Sequence, residues 1–157
     1  VEQLAIDRAL RLFGLSSKSW NANVQALSGS PANLAVYSAF VPIGGKIMGL
    51  KLSSGGHLTH AQSVSMTGKI WKPVLFEVDP KTELLNYEVI KSLAVKEKPD
   101  LIVVGFTAYP RIIDFKKFRK ITRNCRRIRS RNWRKSTLCF LRCKKLGRSR
   151  SYERSCD

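Results

Sequence analysis

Leu101-Ile102-Val103-Val104-Gly105 is the stretch on which the fold turns. Four apolar residues in a row, mostly β-branched, are bounded by Pro99-Asp100 before and a glycine after. Alternation of polar and apolar residues is missing, so both faces of such a strand must be buried, as in the interior of a parallel sheet. Working back, Asn86–Lys98 reads as a helix on which Tyr87, Val89, Ile90, Leu93 and Ala94 can share a face. Val74–Val78 reads as a strand that turns out through Asp79-Pro80-Lys81-Thr82, and Lys46–Leu50 as a short apolar strand preceded by the turn Pro42-Ile43-Gly44-Gly45. Further back lie a helix over Ala32–Val41, a possible short strand over Asn23–Gln25 and an amphipathic helix over residues 1–13 stopped by Gly14. Forward of the deciding strand, Asp114–Ile121 begins another helix. Strands and helices alternate, which predicts an α/β layer with a partial, mostly parallel sheet.

Composition divides the chain at the end of that last helix. Of 157 residues with a formal net charge of +18, residues 1–115 hold 12 Lys+Arg against 9 Asp+Glu, and residues 116–157 hold 17 against 2. The basic character that suggests a polyanion binder therefore belongs to the tail. All four cysteines (Cys125, Cys139, Cys143, Cys156) lie there too, so the body needs no oxidising compartment and cytoplasm is expected. From about Thr122 the apolar period is lost, and residues 122–157 are expected to be a disordered basic tail. The sequence opens on Val1 rather than Met, so residues ahead of it are expected. No signal peptide or membrane span is legible.

Three motifs could carry chemistry. Ser28-Gly29-Ser30 opens a helix, where free amides and the helix dipole favour an anion, although the same triplet serves more often as a plain cap. Gly55-Gly56-His57-Leu58-Thr59-His60 holds the only two histidines. On a helix they would share a face, but no nearby Cys, Asp or Glu completes a metal set, and structural or solvated histidines are expected. Phe106-Thr107-Ala108-Tyr109-Pro110-Arg111 follows the strongest strand, where a parallel sheet exposes residues to a ligand crevice. In the tail, Arg126-Arg127-Ile128-Arg129 with Trp133 could grip RNA or another polyanion by phosphate contacts and stacking.

Together these pieces resemble serine hydroxymethyltransferase, a fold-type-I pyridoxal-phosphate enzyme. The resemblance is carried by Val1-Glu2-Gln3-Leu4-Ala5-Ile6-Asp7-Arg8-Ala9, Ala22-Asn23-Val24-Gln25, Ser28-Gly29-Ser30 and Ala32-Asn33-Leu34-Ala35-Val36-Tyr37. It continues through the Gly55–His60 motif and Ala108-Tyr109-Pro110-Arg111-Ile112-Ile113-Asp114. It spans residues 1–121, part of the family's large domain, and leaves 122–157 as an unrelated tail of the kind a shifted reading frame produces. It implies that Gly29 and Ser30 hold the cofactor phosphate, that His57 stacks on the pyridine ring and that Thr107 meets the ring's phenolic oxygen. Leu52, Gly56 and Leu58 would line the folate site. It further implies serine and glycine as substrates, tetrahydrofolate as one-carbon acceptor and a homodimer. The family's Schiff-base Lys and the Asp that pairs with the ring nitrogen have no counterpart in these residues. Lys135, Lys144 and Lys145 sit in no matching context, so catalysis by these residues alone is not expected. Pro31, Ser54 and Ala61 stand where the family usually has Gln, His and Gly.

Overall fold

The computed structural model describes residues 1–124. Helix α1 (Glu2–Leu12) places Glu2 in its first turn and Arg11 in its last, each complementing the helix dipole. Gly14 adopts a positive φ of 66° just beyond it, the left-handed conformation that ends helices. The short strand expected over Asn23–Gln25 does not form. Asn21 Oδ1 accepts the Ala22 amide and Asn23 Oδ1 accepts the Gln25 amide, each at 2.9 Å. These local bonds compete with a ladder, as Asn side chains do in turns. Helix α2 (Gly29–Phe40) starts three residues before the reading from sequence, with Ser28 O accepting the Ala32 amide. The chain falls into two compact units, one taking Val1–Asn33 and the other beginning at Leu34.

The second unit holds a three-stranded, all-parallel sheet in the order β2-β1-β3. Strand β1 (Lys46–Leu50) occupies the residues expected, and helix α3 (Met66–Ile70) leads into β2. Strand β2 covers Lys72–Phe76, two residues earlier than the sequence suggests, and takes in Pro73. The Lys72 amide donates to Gly45 O and Phe76 O accepts from Lys51 N, so even-numbered residues turn their backbone groups toward β1. Pro73, opposite Ile47, falls on the other alternation and loses no ladder donor at this edge. Helix α4 (Tyr87–Glu97) runs between Asn86, whose side chain accepts the Glu88 and Val89 amides, and Lys98, which turns left-handed at φ 49°. Val89, expected on its buried face, is 58% exposed, while Ile90 and Ala94 are buried.

Strand β3 is shorter than Leu101–Gly105: only Leu101–Ile102 pair regularly with β1. Val103 N still donates to Met48 O, and then Gly105, at φ 145°, turns the chain away. Val103 and Val104 remain buried and Val104 still makes a single bridge pairing, so the apolar run is explained by packing even where the regular ladder thins out. Side chains alternate across the sheet as strand geometry requires. Ile47, Leu101 and Val103 join Tyr37, Val41, Ala61 and Trp71 on one face. Met48, Leu50, Ile102 and Val104 join Ile90, Ala94, Phe118 and Ile121 on the other. Each fully buried aliphatic side chain here contributes roughly 1.5–3 kcal/mol. Helix α5 (Phe115–Asn124) supplies Phe118 and Ile121, and runs past Ile121. The tail cysteines, Trp133, the arginine runs and Lys135, Lys144 and Lys145 lie outside the described residues.

Candidate functional site

Loops from the carboxyl ends of β1 and β3 are tied together at one atom. After Leu50 the chain makes a 3-10 turn over Leu52–Ser54 that ends on Gly55, left-handed at φ 96°. The Gly55 carbonyl accepts the amides of both Thr107 and Ala108 at 3.0 Å. Gly55 makes that closeness possible, and Gly56 lets the loop fold back on the end of its own strand. A β-carbon on Gly55 would stand 2.7 Å from Tyr109 N, and one on Gly56 2.0 Å from Leu50 O. Thr107 and His57 are thereby set in adjoining loops at the ligand end of a parallel sheet.

His57 and His60 sit in a turn, not on a helix, and among the described residues no group of three or more His, Cys, Asp or Glu is placed to hold a metal ion. His57 is half-buried. Its Nδ1 accepts the Thr59 amide at 3.1 Å and lies 2.7 Å from Thr59 Oγ1. His60 is 2% exposed and packs against Gly49, where a β-carbon would come within 2.9 Å of its own. Its Nδ1 lies 3.3 Å from both the Leu50 carbonyl and the His57 amide, of which a neutral ring satisfies one at a time. Burial lowers His60 from 6.5 to about 4; the Leu50 carbonyl opposes the shift and His57 adds to it. The His60 ring meets Phe106 edge-on at 6.4 Å, and Phe106 meets Phe76 and Tyr109. Tyr109 is packed and accepts the Leu85 amide through its hydroxyl.

Leu52 and Leu58 are both nearly half exposed on the β1 loop, and Gly56 between them is buried. Gly29 and Ser30 open α2 with exposed backbones, and Pro31 removes one amide from that turn. The chain before them is irregular rather than the strand expected. A β-carbon at Gly29 would meet nothing within 4 Å. A shallow cavity of about 380 Å3 is lined by the first turn of α4, Asp79 and Lys117 rather than by His57 or Thr107. Three features escaped the sequence: the double acceptance at Gly55, the buried plug made by His60, and the contact of Thr59 with His57. Paired glycines ahead of a histidine were the one visible signal.

The fold and the paired loops define an α/β protein whose candidate site residues His57 and Thr107 follow the carboxyl ends of a parallel sheet. The chain belongs to the serine hydroxymethyltransferase family, whose model matches residues 1–128. It is 53% identical over 125 residues to the serine hydroxymethyltransferase of Mycoplasmopsis synoviae, a match covering 80% of this chain and 28% of that protein. It is 50% identical over 121 residues to that of Leptospira biflexa, covering 77% and 28%, and 52% over 120 residues to that of Rippkaea orientalis, covering 76% and 27%. The chain thus spans a little over a quarter of the length of these relatives. No helix among the described residues is long and apolar enough to cross a membrane.

Proposed function

We propose that these residues form the cofactor-facing part of a cytoplasmic pyridoxal-phosphate transferase that interconverts serine and glycine with tetrahydrofolate as one-carbon acceptor. The supporting observation is the Gly55 carbonyl that gathers the His57 and Thr107 loops. The groups present suit an anionic aromatic cofactor. Gly29 and Ser30 offer first-turn amides to a phosphate, His57 offers a flat ring beside solvent, and Thr107 offers a hydroxyl for a phenolic oxygen. Leu52, Gly56 and Leu58 would give a pteridine an apolar edge and room for close backbone approach. Pyridoxal phosphate, when bound, supplies the electron-withdrawing ring that stabilises charge developing on an amino-acid substrate. The protein's part is to hold that ring flat under His57 and to fix its phosphate. Within these 157 residues no lysine occupies the family's Schiff-base context, so the chain taken alone binds the cofactor without turnover, and the complete site includes a second subunit.

The test is titration of the 157-residue chain with pyridoxal phosphate, followed by absorbance. Weak saturable binding is expected, displaced by inorganic phosphate and weakened about five-fold in His57→Ala, since an aromatic stack contributes about 1 kcal/mol. Borohydride should then fix no lysine specifically. Binding indifferent to phosphate and to His57→Ala defeats the cofactor reading, and serine-to-glycine turnover by the isolated chain defeats the claim of inactivity.

A further inference from the structure

Thr107 and Ala108 stand between two aromatic residues that both reach the core. Phe106 and Tyr109 pack against the cluster that holds Ile90 and Phe118, their rings edge-on at 5.7 Å. The chain bends at the two residues in between. Phe106 is also edge-on to Phe76 at 6.2 Å and to His60 at 6.4 Å. Two tethers complete the turn. On one side the amides of Thr107 and Ala108 both donate to the Gly55 carbonyl at 3.0 Å. On the other, Tyr109 Oη accepts the Leu85 amide at 3.2 Å, across 24 residues of chain.

Leu85 is 6% exposed and stands directly before Asn86, the cap of α4. Its amide belongs to neither a helix nor a strand, so a side chain must satisfy it, and the tyrosine hydroxyl does. A phenylalanine at 109 would fill the same space and accept nothing, leaving that amide unpaired. The hydroxyl is therefore the part of Tyr109 that core packing does not require. The backbone of the same residue is pressed against the accepting glycine: a β-carbon on Gly55 would fall 2.7 Å from the Tyr109 nitrogen. Tyr109 is thus held at its main chain by the β1 loop and at its side-chain tip by the entry of α4, with the Thr107-Ala108 turn directly ahead of it.

We propose that Tyr109 is a positioning residue: its hydroxyl, tied to the Leu85 amide, holds the Thr107-Ala108 turn against the Gly55 carbonyl and so sets the place of the Thr107 hydroxyl. Without that tie, the turn keeps its aromatic anchors but can lift from Gly55. That the Thr107 hydroxyl meets a cofactor rests on the function proposed above; the tether itself does not.

The experiment is amide hydrogen exchange, followed residue by residue by NMR, on the full 157-residue chain without cofactor. In wild type the amides of Leu85, Thr107 and Ala108 should share one level of protection, because they open as a unit. Tyr109→Phe should speed exchange at Thr107 and Ala108 about five-fold relative to the amides of strand β1, the equivalent of one hydrogen bond of about 1 kcal/mol. Faster exchange at Leu85 alone, or an equal change at every amide including those of β1, overturns the proposal. Should Tyr109→Phe not fold, wild type still decides: a Leu85 amide that exchanges freely while Thr107 and Ala108 are protected overturns it. With pyridoxal phosphate added, Tyr109→Phe should weaken binding as Thr107→Val does and leave the affinity for inorganic phosphate unchanged. A loss in Thr107→Val without one in Tyr109→Phe also overturns it. A chain that shows the exchange changes but binds no pyridoxal phosphate sinks the function reading and leaves the tether standing.

Discussion

A β-carbon on Gly56 would sit 2.0 Å from a backbone oxygen, while one on Gly29 would meet nothing within 4 Å, although both glycines are site candidates, Gly56 for the folate and Gly29 for the cofactor phosphate. The first is needed by the fold and the second is free for a ligand. Gly56→Ala should destabilise by at least about 1–3 kcal/mol in urea unfolding, the usual cost of forcing atoms into a filled space. Gly29→Ala should stay within about 0.5 kcal/mol of wild type yet weaken phosphate-dependent binding. A phosphate effect absent in Gly29→Ala removes that glycine from the site. His60 carries a second residue-scale consequence. Its folded value, about 4, lies below the ordinary 6.5, so the unfolded chain binds the extra proton between those limits. The stabilisation is complete above pH 6.5 and is lost as pH falls toward 4, amounting to about 3 kcal/mol at 1.36 kcal/mol per unit. Asp79 and Glu97 are both held below their usual carboxylate values, Asp79 chiefly by the Thr82 amide and Glu97 by Lys46, so their titration falls mostly beneath this window. His60→Asn should lower stability overall and flatten its slope between pH 4.5 and 6.5; an unchanged slope assigns the dependence to His57 or another group.

Elements were legible where local chemistry and tertiary context agree. Lys46–Leu50 forms residue for residue because its apolar run coincides with a strand paired on both sides. The helix read over Asn86–Lys98 forms between those two residues as caps, since an Asx side chain and a left-handed stop mark its ends in the sequence itself. Asn23–Gln25 failed because β-like residues without a neighbouring strand lose to their own Asn side chains. The end of β3 failed for another reason: by register Gly49 and Leu50 lie opposite Val103 and Val104, but Gly105 turns the chain away at φ 145°, while burial needs only apolar side chains. Of the site, the glycine–histidine motif and the loop after β3 were visible, but their joining at the Gly55 carbonyl links residues over fifty positions apart and leaves no local trace. Asn86→Ala, which strands the Glu88 and Val89 amides, should cost about 1 kcal/mol, with Asn86→Asp close to wild type. Equal losses for the two variants would mean that the Asn86 amide nitrogen, and not the cap, is what matters.

At the scale of the molecule, charge and apolar surface pull association in opposite directions. Both outer strands of the described sheet, β2 and β3, have only β1 as a partner, and paired sheets grow at such edges. Ile43 and Ile112 are each 90% exposed, Leu27 95% and Val64 78%. A net charge of +18 on 17.7 kDa opposes contact between copies at low ionic strength. Added salt shortens the reach of that repulsion from roughly 30 Å at 0.01 M to about 8 Å at 0.15 M, and leaves apolar attraction intact. The isolated chain should therefore have a light-scattering mass near the monomer in dilute buffer that rises as sodium chloride is added, with 8-anilinonaphthalene-1-sulfonate fluorescence showing accessible apolar surface throughout. Binding to a polyanion has the opposite sign, because each phosphate contact is weakened by salt. A mass that falls with salt would mean that charged contacts, such as a nucleic acid carried through purification, hold the particles together. The exposed aliphatic residues would then be ordinary surface rather than the cause of association.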